Sequence, residues 1–148
     1  MPQYARPDAD TTLGNYQEDD GTTTDIFDQI DEVSADDADY IRSPASPSSE
    51  VYVCRLSDVT DPVSSSGHTM RMRTATDVAS GGETLDFTQQ LRMTYVNEGS
   101  QGTLIASQAR NSVTGTTWTT STYNLSGAEA DAITDYTALF FRFVINKP

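Results

Sequence analysis

The stretch Leu139-Phe140-Phe141-Arg142-Phe143-Val144-Ile145 is apolar on both of its alternating faces, and this constrains the fold more than any other feature of the chain. Successive side chains of a strand point to opposite sides of the sheet. A run in which Leu139, Phe141, Phe143 and Ile145 oppose Phe140, Arg142 and Val144 therefore needs cover on both sides, which places it at the centre of a sheet. Upstream, Trp118 to Leu125 reads as a hydroxyl-rich strand. Ser126 to Glu129 has the form of a capping box, in which the Ser hydroxyl accepts from a backbone N–H and the Glu carboxylate accepts in return. A short helix then runs to about Ile133. Strand, helical turn and strand close a β-sandwich, with Phe141 in its core.

The middle of the chain repeats the period of two. Glu50 to Leu56 sets Val51, Val53 and Arg55 against Tyr52, Cys54 and Leu56; His68 to Thr74 sets Met70 and Met72 against Arg71 and Arg73. Thr88 to Val96 turns through Asn97 to Gly102 into Thr103 to Gln108, the best hairpin in the chain. Ser80-Gly81-Gly82 reads as a turn, and Ser43 to Ser49 and Asp61 to Gly67 as loops. The expectation is an all-β, antiparallel jelly-roll β-sandwich over residues 11–148, with one or two short helices and an extended N-terminal arm over residues 1–10. In the front part, Thr11 to Tyr16 and Thr23 to Ile30 are expected as strands, the latter equally compatible with a short amphipathic helix. Ser34-Ala35-Asp36-Asp37 predicts a helical turn over Ala35 to Tyr40.

At 148 residues, one core suffices. A net charge of −13 argues against nucleic-acid and anionic-membrane partners, whose affinity comes mainly from Lys and Arg. The acid gathers in the front: Asp8, Asp10, Glu18, Asp19, Asp20, Asp25, Asp28, Asp31, Glu32, Asp36, Asp37 and Asp39. An exposed solvated face, pairing with a basic partner surface, and a divalent-cation site at Asp36, Asp37 and Asp39 are the open readings. The cation loop lacks the Gly and distal Glu of an EF-hand. No stretch is long and apolar enough to cross a bilayer, and no apolar leader opens the chain. Synthesis in the cytoplasm and a soluble product are expected.

Candidate chemistry is sparse. Cys54 and His68 are each the single residue of their type; a nucleophilic dyad needs them within hydrogen-bond reach, whereas a thiol between Val53 and Arg55 fits a core position. One His and one Cys match no zinc spacing. Phosphate-loop, Gly-x-Ser-x-Gly and His-Glu-x-x-His motifs are missing from the sequence. The expectation is a protein with no catalytic, metal or cofactor residues. Trp118 and Tyr123 could form a platform for sugar stacking, or pack as half-buried sandwich residues. Arg71, Arg73, Arg92 and Arg142 would form a cationic assembly stripe if their strands are neighbours, able to meet the acidic front of another copy; the alternative is local charge balance.

Several segments together carry a resemblance: Arg6-Pro7-Asp8-Ala9-Asp10, Asp36-Asp37-Ala38-Asp39-Tyr40-Ile41, Leu56-Ser57-Asp58-Val59-Thr60-Asp61-Pro62, Gly67-His68-Thr69-Met70-Arg71-Met72-Arg73, and Leu125-Ser126 followed by Glu129-Ala130-Asp131-Ala132-Ile133. Over Arg6 to Val144 the chain resembles small jelly-roll structural proteins of tailed phages and gene transfer particles, and its layout is similar to carbohydrate-binding-module sandwiches. The resemblance implies a virion component on the outer capsid surface, a decoration or cement protein that binds the major capsid protein as a trimer or ring. Pro2, Tyr4, Arg6 and Pro7 of the arm are the expected capsid contacts. The alternative it leaves open is a glycan-binding module on a capsid or tail fibre.

Overall fold

The computed structural model describes residues 2–77 and 84–148; the expected turn at Ser80-Gly81-Gly82 lies outside them. The fold is mostly β. Its main sheet contains β1 (Pro7–Thr12), β4 (Glu50–Leu56), β6 (Leu85–Met93), β7 (Thr103–Val113) and β9 (Leu139–Asn146), antiparallel in the order β1-β4-β9-β6-β7. As its two apolar faces require, β9 is central, paired with β4 on one side and β6 on the other. Register lines up Cys54, Phe141, Leu91 and Ala106 across four strands, with Tyr52 beside Phe143 and Phe87 beside Ile145 in neighbouring rows. This face is the floor of the hydrophobic core, and Tyr52 and Cys54 are fully buried in it. Phe141 and Phe143 are half-buried and packed against it. Gln89 is an exception in this floor: it is fully buried and donates through Nε2 to Gln108 Oε1.

Two ribbons accompany the sheet. β5 (Thr69–Thr74) pairs with β8 (Thr119–Asn124), and β2 (Gln17–Glu18) pairs with β3 (Ile41–Arg42). The alternation in β5 is realised: Met70 is buried and Met72 packs on the core, while Arg71 is exposed on the other face. Between β8 and β9, Ser126 caps α1 (Gly127–Asp131). Its hydroxyl accepts from Glu129 N, and the Glu129 carboxylate accepts from Ser126 N at 2.7 Å, completing the expected capping box.

The front departs from expectation. From Pro7 onward the supposed arm is an edge strand, paired with β4 through two bulges, so the boundary at residue 10 falls inside a strand. Proline is tolerated there because it opens an edge strand. Before it, Arg6 N donates to Ser57 Oγ, and Gln3 clasps Thr60 by donating to its carbonyl (2.9 Å) and accepting from its N–H (2.8 Å). The strand expected at Thr23 to Ile30 is instead a 3-10 turn at Ile26–Gln29. Asp25 sits at φ 57°, which breaks the extended run, and the Asp10 carboxylate accepts Ile26 N–H at 2.8 Å and Tyr52 O–H at 2.7 Å. The turn drops Ile26 into the core, fully buried. Ala35 to Tyr40 forms no helix: Asp36 Oδ1 accepts from Ala38 N in a local turn that competes with helical bonding.

The other face of the main sheet is covered in part, over Phe140. β6 ends at Met93, earlier than the expected Val96, because Thr94 takes φ 59°. The chain then folds back so that the buried Tyr95 lies 5.8 Å from Phe140, ring to ring. Gly102, at φ +62°, lets the loop rejoin β7; a Cβ there would lie 2.1 Å from Met93 O.

Candidate functional site

The four arginines of the expected stripe divide into two pairs. Arg92 and Arg142 lie on β6 and β9 of the main sheet, whereas Arg71 and Arg73 lie on β5, whose partner is β8. No single stripe forms, because the stripe needed neighbouring strands and the topology puts them in separate sheets.

Arg142 and Arg92 are held by intramolecular contacts. Arg142 grips Glu98 through Nε to Oε1 (2.9 Å) and Nη2 to Oε2 (2.6 Å), and its Nη1 donates to Gln90 Oε1. Arg92, 9% exposed, donates to the same Gln90 oxygen and to Gln101 O. Tyr95 O–H donates to Glu98 Oε1 at 2.7 Å, and Thr12 Oγ1 lies 3.0 Å from the Tyr95 oxygen. The Arg142 guanidinium holds the Glu98 carboxyl below the usual carboxylate range, and burial lowers the Arg92 guanidinium, with Arg142 adding to it. A bidentate Arg–carboxylate pair of this kind fixes geometry as well as charge. The group pins the 94–102 loop across β9. Glu98 gave no signal in the sequence, since its partners become neighbours only through sheet register.

The second pair sits on the outward face of the β5–β8 ribbon. Arg73 opposes Thr120 and Arg71 opposes Thr122. Arg73 makes a bidentate pair with Asp37 (2.5 and 2.6 Å) and donates to Thr120 Oγ1 at 3.2 Å. That guanidinium keeps the Asp37 carboxyl below its ordinary value. Among the described residues Arg71 makes no hydrogen bond or ion pair. Trp118 precedes β8 on the same alternation as Thr120 and Thr122, and its ring lies 5.5 Å from that of Tyr40 at an interplanar angle of 58°. Both rings are half-buried.

The platform expected from Trp118 and Tyr123 does not form as such, because residues an odd number apart on a strand face opposite ways. Tyr123 packs against the core and donates to Glu129 Oε1 at 2.8 Å. Tyr40, brought in by the acidic front, is the aromatic that meets Trp118.

Cys54 is fully buried, and burial, reinforced by the Asp10 carboxylate, pushes its thiol far above the ordinary range. A thiol held protonated this way is a core residue rather than a nucleophile. His68 Nε2 lies 2.7 Å from the Tyr136 hydroxyl oxygen, a contact that ties the start of β5 to the segment before β9.

Carboxylates crowd the front. Partial burial raises the Glu18 carboxyl above its ordinary value, and Asp20, Asp28, Asp19 and Asp39 push it further. Burial likewise raises Glu32, with Asp39 and Asp31 contributing. Among the described residues, no group of three or more His, Cys, Asp or Glu side chains is placed to hold a metal ion. Of the expected arm contacts, Pro7 is in β1, Arg6 continues its bonding to Ser57, Arg6 stacks its guanidinium 5.8 Å from the Tyr4 ring centroid, and Pro2 and Tyr4 are exposed. No protein-family model, no curated protein and no solved structure matches the chain.

Proposed function

We propose that this chain is a non-catalytic virion structural protein, a capsid decoration or cement protein that sits on the outer surface of the head and contacts the major capsid protein, as a trimer or ring on the particle. It would be made in the host cytoplasm and act without cofactor, nucleic acid or membrane. The observation that carries this reading is the crowd of carboxylates around Glu18 and Glu32, raised by burial and by one another. Like charges held together carry a repulsive penalty that a basic partner surface relieves. The connectivity fits a jelly roll: the chain leaves the main sheet for β5, returns for β6 and β7, leaves again for β8 and returns for β9. The ribbons would then serve as the second sheet of a sandwich.

In this reading the acidic face of the domain makes the contact, and the start of the chain, whose Gln3 and Arg6 bind Thr60 and Ser57, lies on the body with Pro2 and Tyr4 exposed. The test is binding of the purified protein to heads assembled without it, measured by co-sedimentation across a salt series. Charge removal at Asp19, Asp20 and Asp39 (each to Asn) should lower occupancy at moderate salt and flatten the salt dependence, with the melting temperature retained. Undiminished occupancy of that folded variant would remove the acidic face from the interface.

A further inference from the structure

We propose that the outward face of the β5–β8 ribbon is a binding site for a short acidic oligosaccharide, one ring of which packs on Trp118 while its carboxylate or sulfate pairs with Arg71. The inference is independent of capsid attachment.

The face is built in a line. Trp118, just before β8, is followed on the same alternation by Thr120, Thr122 and Asn124, and across the ladder stand Arg73 opposite Thr120, Arg71 opposite Thr122, and Thr69 opposite Asn124. Thr69, Arg71, Thr120, Thr122 and Asn124 are exposed. Sugars are recognised by an apolar ring face against an aromatic and by hydroxyl hydrogen bonds at the ring edge, and this line supplies both. From Trp118 to Thr122 the strand advances four residues, roughly 13 Å at the usual rise. That span suits an oligosaccharide of two or three rings.

The sign of the ligand follows from the two guanidiniums. Arg73 is neutralised in place by the bidentate Asp37, and this pair positions the loop that carries Tyr40 against Trp118. Arg71 has no such partner among the described residues, although the chain carries 22 Asp and Glu against 9 Lys and Arg. A guanidinium with no acidic partner among the described residues, on a hydroxyl-lined face, is suited to bidentate pairing with a planar carboxylate or a sulfate. Asp37, the carboxylate that reaches this face, is already paired with Arg73, and charges farther away than about 8 Å are screened at physiological salt. Contact with Arg71 therefore decides the sign.

Trp118 is the only tryptophan, so ring packing on it can be read from the unmodified protein. Tryptophan emission would be titrated with trigalacturonate, triguluronate and a sulfated galactotriose, each beside its neutral counterpart (methyl esters for the uronates, the desulfated trisaccharide for the last). The expected result is a saturable emission change with at least one acidic trisaccharide, weakened roughly tenfold in Arg71→Gln, as loss of a charge-assisted pair implies. The neutral counterpart should bind more weakly and be indifferent to Arg71→Gln. Tyr123→Phe, on the opposite face, should leave the affinity unchanged. Arg71 is exposed, so circular dichroism should show Arg71→Gln folded as the parent is. Absence of a saturable change with all three acidic trisaccharides would overturn the site; equal binding of acidic and neutral forms, or an affinity untouched by Arg71→Gln, would overturn the role of Arg71.

Discussion

Replacing Asp10 by Ala should cost the protein about 3 kcal/mol, and the structure says where the loss arises. The carboxylate accepts two bonds, from the hydroxyl of the fully buried Tyr52 and from the backbone N–H of the fully buried Ile26. Each donor left unsatisfied forfeits about 1–3 kcal/mol. Asp10 itself is half-buried, so water reaching the vacated space recovers part of the roughly 2–6 kcal/mol that the sum suggests. For a chain of this size, about 3 kcal/mol lowers the melting temperature by roughly 6–12 °C. Urea unfolding followed by the emission of Trp118 gives the free energy. Tyr52→Phe alone should lose about 1 kcal/mol, because it removes donor and desolvation penalty together. The double variant should be more stable than the sum of the singles predicts, by about 1 kcal/mol or more, since Phe at 52 leaves no hydroxyl stranded when Asp10 is gone. A loss below about 0.5 kcal/mol in Asp10→Ala, or strict additivity with Tyr52→Phe, would show that Asp10 does not join β1 to the 3-10 turn and β4. The same contacts imply that removing residues 1–10 destabilises the domain, whereas removing residues 1–5 leaves β1 whole.

Stability should peak in mild acid. Glu18 and Glu32 have raised folded values, so their contribution is complete below the unfolded carboxylate range, about 4.3, and is lost as pH rises through those raised values. Asp37, Glu98 and Glu129 have lowered values, so theirs is present above that range and lost as pH falls through the lowered values. Calorimetric melting temperatures from pH 3 to 8 should therefore pass through a maximum near about 5; a monotonic rise to pH 7 would contradict the carboxylate crowding. Ser126→Ala should lose about 1 kcal/mol in urea unfolding by opening the capping box, with the β content by circular dichroism unchanged. Gly102→Ala should lose about 2 kcal/mol or more, because its Cβ would lie 2.1 Å from Met93 O in a left-handed backbone, and amide exchange of the 94–102 loop should rise.

Legibility in the sequence followed the range of the determining interaction. Glu50–Leu56 was readable to the residue, and so were the alternation of Met70 and Met72 against Arg71 and Arg73, the capping box and the central place of β9, because each depends on neighbours within a few residues. The front departs from its pattern where an Asp side chain captures a backbone N–H: Asp10 takes that of Ile26 and Asp36 that of Ala38, and neither bond leaves a periodic trace. The arginine stripe failed for a different reason. Alternation tells which face a side chain takes within its own strand but says nothing of which strand lies alongside, and Arg142 found Glu98 and Arg92 found Gln101 O from one loop while Arg73 found Asp37 from another. Tyr40 could be seen in the sequence as an aromatic in an acidic segment, but its meeting with Trp118 spans 78 positions (118 minus 40) and lies beyond any local pattern.

The position of β9 also sets the order in which the molecule can be completed. β4 and β6 do not touch as strands; β9 stands between them, and it is the last of the described strands to leave the ribosome. Until then the main sheet can exist only as two halves, β1 with β4 and β6 with β7, each presenting an open edge to the surrounding solution. Such edges invite pairing with the wrong partner, including the same edge on a neighbouring nascent chain. Eight residues, Leu139–Asn146, close both at once. The yield of folded protein during rapid synthesis thus depends on how promptly this strand is delivered, and a chain interrupted before Leu139 is a seed for aggregation rather than a smaller version of the domain.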